Sequence, residues 1–92
     1  MSWTLVTAAS FDRRARKFLT GHPDLRPRLA ETLEKLRVDP FEPSLRLYPL
    51  TSKLQGLQAV SLTYSYRITF TLQIAEHETL LLDIGSHDEA YG

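Results

Sequence analysis

The chain has 92 residues, of which 42% are hydrophobic and 24% are charged, and it has no net charge and no cysteine. This length makes one small domain with a thin core, residues 1–92, and the composition excludes a disordered or collagen-like chain. Without cysteine there is no disulfide, no cysteine-based zinc site and no thiol catalysis, which is typical of the reducing cytosol. No apolar run approaches the ~18 residues of a membrane span, and residues 1–4 lack the features of a signal peptide. We therefore expect a soluble cytoplasmic protein that does not act at a membrane.

The first half of the chain predicts a strand followed by two helices. Residues 3–8 alternate in polarity like a short strand, and Ser10 is a good N-cap for a helix that stops at Gly21. The apolar stripe of this helix is Phe11, Ala15, Phe18 and Leu19. The second helix begins near Pro23, since proline is favoured in a first turn, and ends before Asp39, since a helical residue before the next proline is disfavoured. Its apolar stripe is Leu25, Leu29, Leu33 and Leu36.

The second half predicts a structured loop and then three strands. Residues 40–56 contain three prolines and no sustained period, whereas beyond Gly56 apolar residues recur at every second position. A turn near residues 75–78 separates the last two strands. The element order is therefore β-α-α-β-β-β, which is an α+β fold.

Alternation divides the strand residues between two faces of the sheet, because successive side chains point to opposite sides. The apolar face, which the two helices would cover, carries Ile68, Phe70, Leu72, Leu80, Leu82 and Ile84. The other face is predicted to be wet and polar, with Ser61, Thr63, Arg67, Thr69, Thr71, Asp83 and His87.

The zero net charge is the sum of opposite net charges on two segments of the chain. Residues 1–67 carry all 11 basic residues against six acidic ones, a difference of +5, and residues 68–92 carry five acidic residues and no Lys or Arg. A basic segment of this kind suits a local phosphate-binding surface.

Few residues are left to carry chemistry. The chain has no Walker loop, no dinucleotide-binding glycine fingerprint and no nucleophile elbow, and its three histidines lack metal-ligand spacing, so we expect neither cofactor nor metal. Arg67 and His87 fall on the predicted polar face, and Tyr91 follows four residues after His87. An arginine on an exposed strand is most often a solubilising residue; placement on one face strengthens the case for a functional role, but spacing alone does not establish it.

Several short motifs, in order along nearly the whole chain, resemble a known family. They are FDRR at 11–14, KFL at 17–19, HPDL at 22–25, DPF at 39–41, KLQGL at 53–57, YRITF at 66–70 and LDIGSHDEAY at 82–91. Together they are similar to the RelE/YafQ-like mRNA interferases, toxins of bacterial type II toxin–antitoxin modules within the RelE/ParE superfamily.

The resemblance implies a small curved antiparallel sheet backed by two N-terminal helices. It also implies metal-independent endoribonuclease activity on mRNA, commonly on the ribosome, by attack of a ribose 2′-OH on the adjacent phosphate. That reaction needs a base, a cation for the phosphorane and an acid for the leaving oxygen. By position, Arg67 would stabilise the phosphate, His87 would be the acid, and Tyr91 would stack on a base or assist proton transfer.

The general base is not assigned by the resemblance. RelE proper has lysines where this chain has Ala59 and Ser61, and YafQ-like members have histidines at Ser61 and Tyr48 and an aspartate at Ser65. Tyr48, Tyr64 or Lys53 would substitute, or His87 would take a second role. Candidate substrate-binding residues are Arg13, Arg14 and Lys17 in the basic cluster of the first helix, and Lys53.

The expected partners are a cognate antitoxin, mRNA and the ribosome. Two alternatives stay open: a ParE-like toxin that inhibits DNA gyrase by binding, and a catalytically silent module that binds an antitoxin. The gyrase alternative does not require Arg67, His87 and Tyr91 on one surface.

Overall fold

The computed structural model describes residues 2–50 and 56–86 and confirms the α+β class. The helices are α1 (Ala9–Gly21) and α2 (Arg26–Val38), and the strands are β1 (Thr4–Thr7), β2 (Tyr48–Pro49), β3 (Gln58–Ser61), β4 (Tyr66–Gln73) and β5 (Glu78–Ser86). Within these ranges, no helix has the length and apolar character needed to cross a membrane.

The five strands form one sheet in the order β1-β5-β4-β3-β2. The sheet is mixed rather than antiparallel, because β1 runs parallel to β5 while the other pairs are antiparallel. A short hairpin forces neighbouring strands to be antiparallel, but both helices follow β1 and provide the long crossover that a parallel pair needs. The additional strand, β2, lies in the segment predicted as a loop, because two residues ending in Pro49 show no period. Proline is tolerated there since β2 is an edge strand.

The two helices cover one face of the sheet with the apolar stripes predicted for them. The core cluster includes Phe11, Phe18, Leu29, Leu36, Ile68 and Phe70. A short 3₁₀ turn, Pro23–Leu25, precedes α2, and α2 ends at Val38 directly before Asp39, as the following proline predicted. Leu36 and Phe70 are completely buried, so the core lies between α2 and the centre of the sheet.

A β-bulge in β5 changes which leucines face the helices. Thr69 of β4 pairs with Asp83, but the next residue, Phe70, pairs with Leu81, so Leu82 is an extra residue in β5. Leu81 is buried at 1% exposure, whereas Leu82 is only half-buried. The prediction that Leu80 and Leu82 belong to the helix-covered face is therefore wrong: Leu80 pairs with Thr71 of the polar face, and one inserted residue reverses the phase of a strand.

Ser10 forms a hydrogen bond with the bulge of β5 rather than capping the helix. Ala8 occupies the N-cap of α1 and no side chain caps the helix, which corrects the predicted role of Ser10. The Ser10 hydroxyl instead donates a hydrogen bond of 2.9 Å to the backbone carbonyl of Leu82. The helix that follows β1 is thereby fastened to the irregular position of β5.

Candidate active site

The polar face of the sheet is the side opposite the helices, and Arg67 lies at its centre. Arg67 on β4 is flanked by Ser61 on β3 and by Gly85 on β5. Both neighbours are small, so neither side chain covers the guanidinium from the adjacent strands. The second row on the same face is Tyr48, Ala59, Thr69 and Asp83.

Arg67 and Tyr48 meet above the intervening strand. An Arg67 Nη1 hydrogen donates to the Tyr48 hydroxyl at 3.2 Å. Because β3 lies between β2 and β4, this contact passes over Ala59 and Ser61, whose small side chains leave room for it. Arg67 is 7% exposed, so its guanidinium is held in one place rather than sampling solvent. A cation positioned in this way is preorganised for an anionic ligand.

The polar face is less open than predicted. Thr69 is completely buried and Arg67 nearly so, which corrects the expectation of a wet face. The buried Oγ1 atoms of Thr69 and Thr71 make no hydrogen bond in the described structure, although most buried polar atoms do. On the polar face, these two threonines both belong to β4, the strand that carries Arg67.

The other predicted catalytic residues cannot be placed by the structure. His87, Tyr91 and Lys53 lie outside the described residues. The last described residue of β5, Ser86, pairs with Tyr66, the chain neighbour of Arg67.

Of the two tyrosines considered as a base, the structure brings Tyr48 to Arg67. Tyr64 lies in the loop between β3 and β4 and is fully exposed, at 101%. Within residues 2–50 and 56–86 its side chain makes no hydrogen bond and no ring contact.

Of the three substrate-binding candidates on α1, one is paired with a carboxylate and two are exposed. Arg14 Nε contacts Asp83 Oδ1 at 2.9 Å, and the same oxygen accepts the Ile84 backbone N–H at 2.7 Å. Arg13 and Lys17 are exposed and available to a ligand.

Arg14 and Lys17 also border a cleft of about 330 Å³ between α1 and the sheet, which the sequence reasoning missed. At its base, His22 Nε2 and the Tyr66 hydroxyl are 3.2 Å apart, and both rings pack against Phe18. The spacing of Phe18 and His22, four residues on a helix, is the signal that would have suggested this cluster.

A cluster of metal-binding side chains is absent from the part of the chain that the structure describes. There, no three His, Asp or Glu side chains are grouped so that they would hold a metal ion.

Known structures place this arrangement of helices and strands among toxins. No protein-family model and no curated protein matches the chain in sequence. A chain of the E. coli DinJ–YafQ toxin–antitoxin complex aligns over 100% of both chains with a TM-score of 0.76 and 13% identity. The YoeB/ParE toxin from Agrobacterium tumefaciens gives a TM-score of 0.76 at 13% identity over 91% of this chain and 98% of its own.

The chain has the RelE/YafQ-like toxin fold. A copper-bound mutant toxin from Helicobacter pylori is similar as well, with a TM-score of 0.71 and 22% identity over 99% of this chain and 100% of its own. The predicted resemblance is thereby confirmed at the level of the fold. Sequence identities of 13–22% show the fold alone. Activity depends on the residues of the site.

Proposed function

We propose that the chain is the toxin of a type II toxin–antitoxin pair and that it cleaves mRNA in the cytoplasm, on the ribosome and without a metal. The observation that carries the proposal is Arg67, a nearly buried arginine fixed by Tyr48 on the polar face of a toxin-like fold. The DinJ–YafQ complex contains an antitoxin, and by analogy we expect a cognate antitoxin here.

The reaction is attack of a ribose 2′-OH on the adjacent phosphate, with departure of the 5′-oxygen. Negative charge grows on the phosphate oxygens in the transition state, and Arg67 would stabilise it. Arginine suits this role because its planar fork donates two hydrogen bonds to two phosphate oxygens. Fixing the guanidinium beforehand spares the reorganisation that would otherwise add to the barrier.

The proton transfers need a group that titrates near neutral pH. Imidazoles ionise near pH 6.5 and phenols near 10, so at pH 7 an imidazole is the more effective base. We therefore assign both transfers to His87, as base for the 2′-OH and as acid for the leaving oxygen. Tyr48 is a positioning residue for Arg67, and Tyr91 would stack on a base of the RNA.

Electrostatic contacts outside the reacting centre would come from α1 and from Lys53. Arg13 and Lys17 are exposed and suit RNA phosphates, whereas Arg14 already has a carboxylate partner in Asp83. Lys53 completes this group in the proposal.

The test is expression of the chain alone in bacteria, with growth and mRNA integrity followed together. We expect growth arrest and cleaved mRNA, and we expect Arg67→Ala and His87→Ala to relieve both. Arg26→Ala, which removes an exposed arginine of α2, is the matched control and should leave the arrest unchanged.

Other outcomes identify the alternatives. Arrest that persists in Arg67→Ala and His87→Ala, with DNA damage and intact mRNA, would indicate a gyrase inhibitor. Normal growth with tight antitoxin binding would indicate a silent antitoxin-binding module. A reconstituted translation mixture, with and without ribosomes, tests ribosome dependence directly.

A further inference from the structure

A second cleft, of about 440 Å³, opens beside the loop between β3 and β4. It is built by three separate segments: the first turns of α2, the turn before β2, and the β3–β4 loop. Its lining residues are Arg28, Ser44, Arg46, Ser61, Leu62, Thr63 and Tyr64. We refer to it as the Arg28–Arg46 cleft.

Both arginines of this cleft lack an anionic partner among residues 2–50 and 56–86. Three other basic side chains in that part of the chain do have such a partner: Arg14 pairs with Asp83, Lys35 with Glu31, and Arg37 with Glu34. The hydrogen bond from Arg37 even lowers the pKa of the Glu34 carboxyl below its ordinary value. Arg28 and Arg46 differ from the other exposed arginines, such as Arg13 and Arg26, because both line the same concave surface.

Glu42, which lies two residues before Ser44 of the cleft, already has hydrogen-bond partners. Glu42 accepts hydrogen bonds from the backbone N–H and the hydroxyl of Ser44 at the start of a short 3₁₀ turn. The same Ser44 hydroxyl accepts a hydrogen bond of 3.1 Å from Lys35 Nζ. The hydroxyls of Ser61 and Thr63 add donors that an anion would accept.

Tyr64 gives the cleft an aromatic surface. It is 101% exposed and packs against no other ring in the described structure. A large aromatic side chain in this position gains nothing from burial, whereas an unpaired nucleobase stacks well on such a ring.

The cleft borders the candidate active site at Ser61. Ser61 lines the cleft and is also the β3 residue paired with Arg67, so the two lie one strand apart. Paired residues of antiparallel strands have their Cα atoms about 4.5–5.5 Å apart. An RNA strand with one phosphate at Arg67 would therefore extend toward the cleft by way of Ser61.

We propose that the Arg28–Arg46 cleft binds the single-stranded RNA segment next to the cleaved phosphodiester. The two guanidinium groups contact phosphates, and one unpaired base stacks on Tyr64. This inference rests on the proposed function, since it extends the substrate of the same site.

The test measures binding of the full-length chain to a fluorescent oligouridylate of about twelve nucleotides with 2′-O-methyl groups. Without a 2′-OH the RNA is not cleaved, so binding is measured apart from catalysis. We expect the double variant Arg28→Ala, Arg46→Ala to reduce the slope of log K against log salt by about 1.4, or about 0.7 for each lost contact. We expect Tyr64→Ala to weaken binding roughly 5- to 150-fold, and Tyr64→Phe to retain it.

Arg26→Ala is the control, because it removes one exposed positive charge from α2 outside the cleft, and its effect is compared with half of the double variant's loss. The exposed positions should leave thermal unfolding unchanged in every variant. The inference is overturned if the double variant binds RNA like the wild type, if the control loses as much slope, or if the variants lose only an acidic polypeptide partner. Absence of RNA binding by the wild type overturns it too.

The same experiment separates the two proposals. If unmodified mRNA is cleaved while the cleft variants bind and cleave normally, only the cleft assignment fails. If RNA binding depends on Tyr64 and the arginines while no cleavage occurs with any RNA, the nuclease proposal fails and the binding site stands.

Discussion

Arg67 and Tyr48 belong to strands that are not neighbours, and their side chains still share a hydrogen bond of 3.2 Å above the strand between them. The contact joins the centre of the sheet to its edge. It also means that the position of the proposed phosphate ligand is controlled by a residue on a strand of only two residues.

This relationship predicts strong coupling between the two side chains in catalysis. Arg67→Ala removes the cation and should lower the cleavage rate by about 10²–10³-fold. Tyr48→Phe removes only the hydroxyl that holds the guanidinium and should cost about 10-fold, near the lower limit for a hydrogen bond to a charged group. In the Arg67→Ala background, Tyr48→Phe should have almost no further effect.

The measurement is a double-mutant cycle on single-turnover cleavage rates. A coupling energy near zero would show that Tyr48 acts independently of Arg67. If Tyr48→Phe also removed a basic limb of the pH–rate profile, Tyr48 would be the base rather than the positioning residue.

The small residue beneath the contact yields a second prediction. Ala59 is completely buried and lies directly between Tyr48 and Thr69 on the polar face. Ala59→Leu would fill the space above β3 and displace Arg67, with an overpacking cost of about 1–3 kcal/mol. We expect cleavage to fall by as much as in Arg67→Ala.

Thermal unfolding and cleavage should be measured together for this variant, with Ala59→Ser as the small-residue control. Wild-type activity in a folded Ala59→Leu protein would contradict the route that we describe for the Arg67 side chain.

A third prediction concerns two buried threonines whose hydroxyls make no hydrogen bond in the described structure. Thr79 pairs with Leu5 and Leu72 on the helix-covered face, whereas Thr69 lies two residues from Arg67. Replacing either by valine removes a desolvated hydroxyl while nearly keeping the shape of the side chain. We expect each variant to be more stable by about 1 kcal/mol, which raises the melting temperature by about 4–8 °C in a domain of this size.

Only Thr69→Val should lower cleavage, because Thr69 lies on the polar face. Calorimetry and a cleavage assay on the two variants form a matched pair. Destabilisation by Thr79→Val would mean that its hydroxyl has a partner after all.

Ser10 provides a fourth prediction, because two roles for it make opposite demands. At a helix N-cap, aspartate replaces serine without loss. As a donor to the Leu82 carbonyl, Ser10 cannot be replaced by an ionised carboxylate, which has no hydrogen to give. We therefore expect Ser10→Asp to lower the free energy of unfolding by about 1–3 kcal/mol at pH 7, and Ser10→Thr to be close to neutral.

Denaturant titrations of these variants and of Ser10→Ala decide between the roles. Equal stability of the aspartate variant and the wild type would indicate that Ser10 acts as a helix cap.

The sequence predicts the helices and the alternation of β4 well, because both depend on regular periods of apolar residues. It does not reveal the bulge at Leu82, since three consecutive leucines fit either phase of a strand. It suggests Tyr48 only through family resemblance, because a contact across a whole strand leaves no local pattern. Arg67 was identified from its phase within the polar face, but its burial depends on surroundings that alternation does not describe.

The bulge gives β5 nine residues opposite the eight of β4. One residue of this hairpin therefore has no partner in the hydrogen-bond ladder between the two strands. Deletion of one leucine from the run 80–82 would leave a leucine, Asp83 and Ile84 in regular alternation on the faces that these positions already occupy, whereas a deletion in β5 away from the bulge would turn part of the strand over. Insertions and deletions in relatives of this protein should accordingly concentrate at the bulge. There the strand can change length without moving core side chains to the polar face.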